Sequence, residues 1–385
     1  MSKQSFAGFE FATKAVRSGL SHDTTTGAIS EHICLSTTFA QKDINEPFGQ
    51  YCYSRSNNPN RESLQVTIAA LEGASYSLAF SSGLAATTAV LQTLATNGHV
   101  ITMMDIYSGT ARYFNKLGQT HGLSVSYVSD LEGDLVEALK IREDTRLIWI
   151  ESPSNPTLTL VDIKQVVEIA HQRGVLVLVD NTFLSPYIQN PLALGADLVL
   201  HSVTKYINGH SLSTHLNYLR SCLFPKCSRE RSESFRLLAH RGIKTMYLRV
   251  KAANDNASTI ASLLKESPLV LQVNYPGLSG KLQPELVLRQ HRLGMGGGMI
   301  SFRIRGGAKA AEAFSKASKL FTLAESLGGV ESLCEIPARM THGLSREARQ
   351  AAGVFDDMIR LSVGIEGIED LKKDVLSALE EACTS

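Results

Sequence analysis

Lys205, in the run His-Ser-Val-Thr-Lys-Tyr, follows Asp180 of Leu-Val-Leu-Val-Asp-Asn-Thr by 25 residues. The pair suits attachment of pyridoxal phosphate. The cofactor's aldehyde condenses with a lysine amine, and its ring nitrogen needs a carboxylate that keeps it protonated so that the ring can accept electrons. Asp180 closes an apolar strand, at the edge where α/β enzymes place reactive groups. A lysine taken by itself is far more often a solvated surface residue; its neighbours argue otherwise. Ser81-Ser82-Gly83-Leu84-Ala85-Ala86 follows a strand-like run and opens a helix-like one, so its amides and the helix dipole can face a phosphate. Ser202 and Thr204 offer hydroxyls to the same phosphate, or serve ordinary turn chemistry. Tyr107 has a ring able to stack on a cofactor and a hydroxyl able to carry a proton, or is simply packed. Arg360 interrupts an apolar strand, where an unpaired charge is costly. It is either a planar fork for a substrate α-carboxylate or one half of an internal ion pair. Gly294 to Gly298 precedes a strand rather than opening a helix, so it does not read as a phosphate loop.

These residues need a scaffold, and the chain supplies one by alternation. Helical periodicity over Leu64 to Leu71, Leu84 to Thr93 and Tyr113 to His121 is interleaved with strand-like runs at Ser75 to Phe80 and His99 to Met103. Leu147 to Glu151 and Val175 to Val179 are short apolar runs of the kind buried on both faces of a parallel sheet. Residues 1–53 read as an irregular arm with turn clusters but little helical periodicity, of the sort that packs on a neighbour. An α/β domain follows over 54–248. From 249 to 385 a long helix, the strand Met299 to Ile304 and the helices Ala308 to Ser318 and Glu369 to Ala382 predict a smaller α+β domain.

Composition narrows the function. With 385 residues, 43% hydrophobic and 19% charged, and a net charge of +1, the chain has no electrostatic pull towards nucleic acid or anionic membrane; a small-molecule substrate is expected, with neither of those partners. Six cysteines are scattered without the pairing of a zinc site or a disulfide scaffold. With no signal-like N-terminus and no long apolar stretch, the cytosol is expected. His201, His210 and His215 show no ligand spacing, so no metal is expected.

Seven motifs then stand in order: Leu-Ser-Thr-Thr-Phe at 35–39, Tyr-Ser-Arg-x-x-Asn-Pro at 53–59, Ser-Ser-Gly-Leu-Ala-Ala at 81–86, Glu-Ser-Pro-Ser-Asn-Pro at 151–156, Val-Asp-Asn-Thr-Phe at 179–183, Ser-Val-Thr-Lys-Tyr-Ile-Asn-Gly-His at 202–210 and Phe-Thr-Leu-Ala-Glu-Ser-Leu-Gly-Gly at 321–329. On these the chain resembles the Cys/Met-metabolism family of pyridoxal phosphate enzymes, the trans-sulfuration enzymes, over nearly its whole length, and its γ-lyase branch most of all. The resemblance implies PLP fold type I (aspartate-aminotransferase-like): an α/β large domain with a mixed, mostly parallel sheet, plus a smaller C-terminal α+β domain. It implies that Tyr53 and Arg55 reach the cofactor phosphate of a neighbouring subunit in a homotetramer built from catalytic dimers. Gly83, Leu84, Ser202 and Thr204 would hold the phosphate from within. Asp180 would pair with the ring nitrogen with Thr182 nearby, Tyr107 would stack and act as an acid or base, and Lys205 would carry the cofactor. Arg112, Asn155, Glu325, Ser326 and Arg360 would face a sulfur amino acid. The implied reaction is γ-elimination of cystathionine to cysteine, 2-oxobutanoate and ammonia, with hydrogen sulfide from cysteine or homocysteine as a side reaction. A γ-synthase or O-acylhomoserine sulfhydrylase is the alternative, since the fold alone does not choose.

The chain departs from the family in two places. Cys52 stands where lyases of this kind carry an acidic residue. Residues 211–236, rich in Ser, Arg and Cys, lack the expected Val-rich strand and read as a splice form or frame-shifted gene model. A catalytically impaired chain is the corresponding alternative.

Overall fold

The structure, a computed structural model, describes residues 6, 8–19, 22–94, 97–118, 122–128, 135–211, 233–278, 284–342 and 346–384. The chain opens with α1 (Phe11–Arg17), the hairpin of β1 (Gln41–Asp43) and β2 (Glu46–Pro47), α2 (Pro59–Glu72) and α3 (Gly83–Gln92). There follow β3 (His99–Met103), α4 (Ser108–Tyr113), β4 (Ser124–Val128), α5 (Leu135–Leu139), β5 (Thr145–Glu151), α6 (Ile163–His171), β6 (Leu176–Asp180), α7 (Ser185–Ile188) and β7 (Leu198–Leu200). After α8 (Glu233–Ile243) and α9 (Met246–Glu266) come β8 (Val270–Asn274), α10 (Pro284–Gln290), β9 (Met299–Ile304), α11 (Gly307–Ala317), β10 (Thr322–Leu323), β11 (Leu333–Glu335), α12 (Pro337–Met340), α13 (Arg346–Ala351), β12 (Met358–Ser362) and α14 (Ile368–Thr384).

The first large sheet has the order β4-β3-β5-β6-β7 and is parallel throughout. Its central strands are apolar because both faces are covered: Val100, Leu147, Ile148, Trp149, Val177 and Leu178 are each at most 1% exposed. Parallel register brings the C-terminal ends of β5, β6 and β7 to one edge, with Glu151 opposite Asp180 and Asp180 opposite Leu200. The second sheet, β10-β11-β12-β9-β8, is antiparallel except for its β10–β11 pair. Helix α9 joins two buried clusters: Met246, Val250 and Ala253 pack with Val199 of β7 and with side chains of α2 and α8, and Ala257, Ile260, Ala261 and Leu264 pack with the second sheet.

Local chemistry fixes the element ends that matter. Asn58 caps α2 by accepting from the amides of Asn60 and Arg61, Pro59 opens the helix, and Gly73 ends it at φ +67°. Ser82 caps α3 by accepting from the amide of Ala85.

Four expectations are corrected. Ser75 to Phe80 is not a strand of the sheet. It forms a single bridge at Leu78; the Gln65 side chain of α2 accepts from the Ala79 amide at 2.9 Å, a donor a ladder would use, and the Ser77 hydroxyl donates to the Gln65 carbonyl at 2.6 Å. The helix expected over Tyr113 to His121 begins earlier, at Ser108, and continues as a π-helical turn over Phe114–Gly118; residues 119–121 lie outside the described ones. The arm contains α1, which buries Ala15; its Glu31 accepts from Asn60 and pairs with His240 at 2.9 Å. In the departing stretch 211–236, residues 212–232 lie outside the described ones, while Glu233 to Arg236 are helical as the start of α8.

Candidate active site

At the C-terminal edge of the parallel sheet lies a cavity of about 410 Å³, within the size range of cofactor pockets. Its wall takes Gly83 and Leu84 from the first turn of α3, Tyr107 from the residue before α4, Asn155 from the turn after β5, Asp180 and Thr182 from the end of β6, and Ser202, Thr204 and Lys205 from the turn after β7. The second half of the chain adds Glu325, Ser326 and Arg360. Twelve residues named from the sequence therefore meet in one place. Three do not line it: Tyr53 and Arg55, whose guanidinium stacks 4.4 Å from the Tyr53 ring, and Arg112, which lines a separate cavity with Asp105 and His342.

The Lys205 amine donates to the Ser326 hydroxyl at 2.8 Å. Burial is the main reason its pKa falls to about 8, and the Arg360 charge adds to the effect. The amine is thus far closer to its neutral, nucleophilic form at physiological pH than a surface lysine. In cofactor-free protein, acylation of Lys205 read by peptide mass is expected to show a pH midpoint near 8. A midpoint above about 10, as for a free lysine, would mean that the pocket does not desolvate it.

Asp180 accepts from the Thr182 amide at 3.0 Å, and the Thr182 hydroxyl accepts from the Ser202 amide at 2.9 Å. One short network thereby joins the carboxylate to the turn that carries Lys205. Glu151, across the strand pair, accepts from the Tyr107 amide at 2.9 Å. Burial raises both carboxyl pKa values, that of Glu151 well above its usual range, with the Asp180 charge adding to it. The Asp180 carboxylate is the better supported anion of the two, because the Thr182 hydrogen bonds and the nearby charges of His201 and Lys205 favour its ionised form. Tyr107 is about half exposed, and burial of its ring raises its hydroxyl pKa. A Cβ on Gly109 would run into that ring, so glycine there leaves the ring its place.

The opposite wall is a closed polar ring. Arg360 donates to the Asn155 side chain at 2.7 Å and to the Ser326 carbonyl at 2.8 Å, and lies 2.8 Å from Glu335 with both side chains buried. Thr341 donates to Glu335 at 2.9 Å. His342, its pKa lowered to about 4 by burial and hence neutral, donates from Nε2 to the Asn155 carbonyl at 3.2 Å. Arg360 is therefore one half of an internal ion pair and also lines the cavity. Its Nε has no hydrogen-bond partner among the described residues. Ser326, between Lys205 and Arg360, has φ +90°, a strained conformation for a residue other than glycine.

Glu151 and Glu335 escaped the sequence reading. Glu151 had the same signal as Asp180, an acid at the end of an apolar strand. Glu335 sits opposite Arg360 in the β11–β12 register, so two isolated charges in neighbouring apolar strands were the clue. The glycine cluster proves to be packing: a Cβ at Gly298 would lie 2.6 Å from the Tyr206 hydroxyl.

A buried amine of depressed pKa, a carboxylate at a strand end, and a helix start beside two hydroxyls form a donor set that fits pyridoxal phosphate, with Lys205, Asp180 and the Gly83–Leu84 turn as the residues that would hold it. The chain matches the family model described as Cys/Met metabolism PLP-dependent enzyme over residues 12–215 and 230–380, a break that falls within the departing stretch. It is 49% identical to cystathionine gamma-lyase of Saccharomyces cerevisiae, over 97% of this chain and 98% of that protein. It is 43% identical to cystathionine gamma-lyase of Dictyostelium discoideum, over 97% and 98%. The crystal structure of the yeast cystathionine gamma-lyase superposes with a TM-score of 0.91 at 48% identity, covering 98% of this chain and 99% of that one. A lysine-bearing turn at the edge of a parallel sheet, met in a chain so nearly collinear with these relatives, makes this protein a member of the Cys/Met-metabolism family of PLP-dependent enzymes, with the type I fold of that group.

Proposed function

We propose that the protein is a carbon–sulfur lyase that γ-eliminates L-cystathionine to L-cysteine, 2-oxobutanoate and ammonia. The observation that carries the reading is the depressed, buried Lys205 amine in one cavity with Asp180 and the Arg360–Asn155 pair, in a chain collinear with lyases of that name. When bound, pyridoxal phosphate supplies a ring that accepts the electrons released at the substrate's α-carbon.

The protein's own residues do the rest. Arg360 and Asn155 take the α-carboxylate by a planar, charge-assisted contact, which fixes the α-carbon over the site. Asp180 would face the ring nitrogen, its carboxylate supported by the Thr182 amide and by the Lys205 charge. The amides at the start of α3 and the hydroxyls of Ser202 and Thr204 bind the phosphate. Lys205, neutral near pH 8, takes the α-proton at Nζ. Ser326 Oγ, already hydrogen-bonded to that nitrogen, keeps it aimed during transfer. Tyr107 holds a proton at its hydroxyl through its raised pKa and serves the departing sulfur. Glu325, on the cavity wall, meets the distal amino-acid end of the substrate.

The arm of residues 1–53, ending at Tyr53, completes the site of a neighbouring copy together with Arg55 just beyond it, in a cytosolic homotetramer made of two catalytic dimers. Support comes from large apolar side chains on that arm that face solvent in a single chain, among them Ile29, 87% exposed, and Ile44, 88% exposed. The α/β unit of 54–248 supplies the cofactor side of the cavity, and the unit of 249–385 its substrate side. No helix among the described residues is long and apolar enough to cross a membrane.

The test is to supply purified, PLP-loaded protein with L-cystathionine and assay the products. Equimolar 2-oxobutanoate and cysteine are expected. If an activated homoserine ester plus a thiol instead gives a thioether, with no keto acid from cystathionine, the γ-synthase or sulfhydrylase assignment replaces this one.

A further inference from the structure

Arg249 lies in the first turn of α9, 7% exposed, outside the cavity wall and with no carboxylate partner among the described residues. Its guanidinium is spent on backbone. Nη1 donates to the Tyr206 carbonyl at 2.9 Å, and Nη2 to those of Ile207 at 3.3 Å and Gly242 at 2.7 Å; Nε donates to the Thr245 hydroxyl at 3.2 Å. Tyr206 and Ile207 immediately follow Lys205. Burial lowers the pKa of Arg249 to about 10, which leaves it a cation at neutral pH, held by peptide dipoles.

Space for this contact is built into the chain. Gly209, at φ +71°, is where any side chain would occupy the guanidinium's position. Gly242 packs on the backbone of Asn208, where a Cβ would lie 2.5 Å from the carbonyl oxygen. The turn is also closed on itself, since the Gly209 amide donates to the Lys205 carbonyl at 2.8 Å and the Asn208 amide to Val203 at 3.0 Å. On the far side, a Cβ on Gly328 would lie 2.8 Å from the Tyr206 amide nitrogen. Gly328 is two residues from Ser326, the acceptor of the Lys205 amine.

We infer that Arg249 is a positioning residue for Lys205: its planar fork pins the turn 206–209 to α8 and α9 and thereby sets where the Lys205 amine stands against Ser326 and Asp180. The inference rests on the reading of Lys205 as the reactive amine. A lysine at 249 would keep the charge, but its compact ammonium cannot span three carbonyls set out for a fork.

The experiment uses full-length, PLP-loaded protein with Arg249→Lys and the milder Thr245→Val, which removes the Nε acceptor and the Thr245 hydroxyl's own 3.3 Å bond to the Gly242 carbonyl but leaves the guanidinium in place. Misplacing a reacting group by about 1 Å costs roughly 10²-fold in rate, and that loss of kcat is expected for Arg249→Lys. KM for cystathionine should stay within about twofold, because Arg360 and Asn155 are untouched. The pH midpoint of the cofactor's visible absorption should move as well, which a merely structural role would not cause. Thr245→Val should shift both readouts in the same direction, by less, with its melting temperature close to the parent's. The inference fails if folded Arg249→Lys keeps the parent's kcat and midpoint, or if Thr245→Val leaves both unchanged while Arg249→Lys loses activity only in proportion to its unfolded fraction. A parent with no band that Lys205→Ala abolishes would overturn the reading of Lys205, and this inference with it; a parent with that band and unmoved variants overturns this inference alone.

Discussion

Replacing Lys205 by alanine is expected to lower kcat for cystathionine by at least about 10⁴-fold, the upper range for loss of a positioned proton carrier, and to abolish the visible band on titration with pyridoxal phosphate. Among the described residues that line the cavity Lys205 is the only lysine, so none of them can substitute for it. The variant should nevertheless fold well. In the parent the folded-state pKa is about 8, against about 10.4 for an unfolded lysine, so between those values the unfolded chain binds more protons. Stability of the cofactor-free parent therefore rises with pH through that window, and below it the native state bears a buried ammonium. Lys205→Ala removes that burden. Its unfolding free energy near pH 7 should equal or exceed the parent's, and the rise between about pH 8 and 10 should vanish. An active variant, or one with a saturable band, would place the reactive amine elsewhere.

The second large effect concerns the Arg360–Glu335 pair, where stability and catalysis separate. Arg360→Leu leaves Glu335 buried without its cation, which costs about 3–5 kcal/mol in comparable cases. It also removes the fork for the α-carboxylate, worth about 1.5–3 kcal/mol as a charge-assisted hydrogen bond, or up to roughly 10²-fold in kcat/KM. Adding Glu335→Leu removes both buried charges, and exchanging such a pair for apolar residues is often neutral or stabilising. The double variant should recover the unfolding midpoint in denaturant while kcat/KM stays low. Full activity in that variant would mean that the carboxylate is bound by other groups.

The sequence made the reactive end of the site legible because it is local: Asp180 and Lys205 close strands or lie in turns of one sheet, and strand β9, Met299–Ile304, was read to the residue. What it hid depends on register between distant strands. Glu335 matters because it faces Arg360 across β11 and β12, and Glu151 because it faces Asp180 across β5 and β6. Ser75 to Phe80 reads as a strand because its alternation is real, yet the Gln65 side chain takes the Ala79 amide, a tertiary choice that no window of sequence contains. Helix α1 is seven residues long with one buried side chain, too short to print a period.

The Arg249 contacts have a topological consequence. They tie Tyr206 and Ile207, before the departing stretch, to Gly242 after it, so both ends of the intervening chain are anchored at one point. The entropic cost of closing a chain between fixed points grows only logarithmically, about 0.6 kcal/mol for each doubling of length. A change in the length of that stretch therefore adds little closure cost to the lysine turn, and the break in family likeness over 216–229 lies between these two anchored ends.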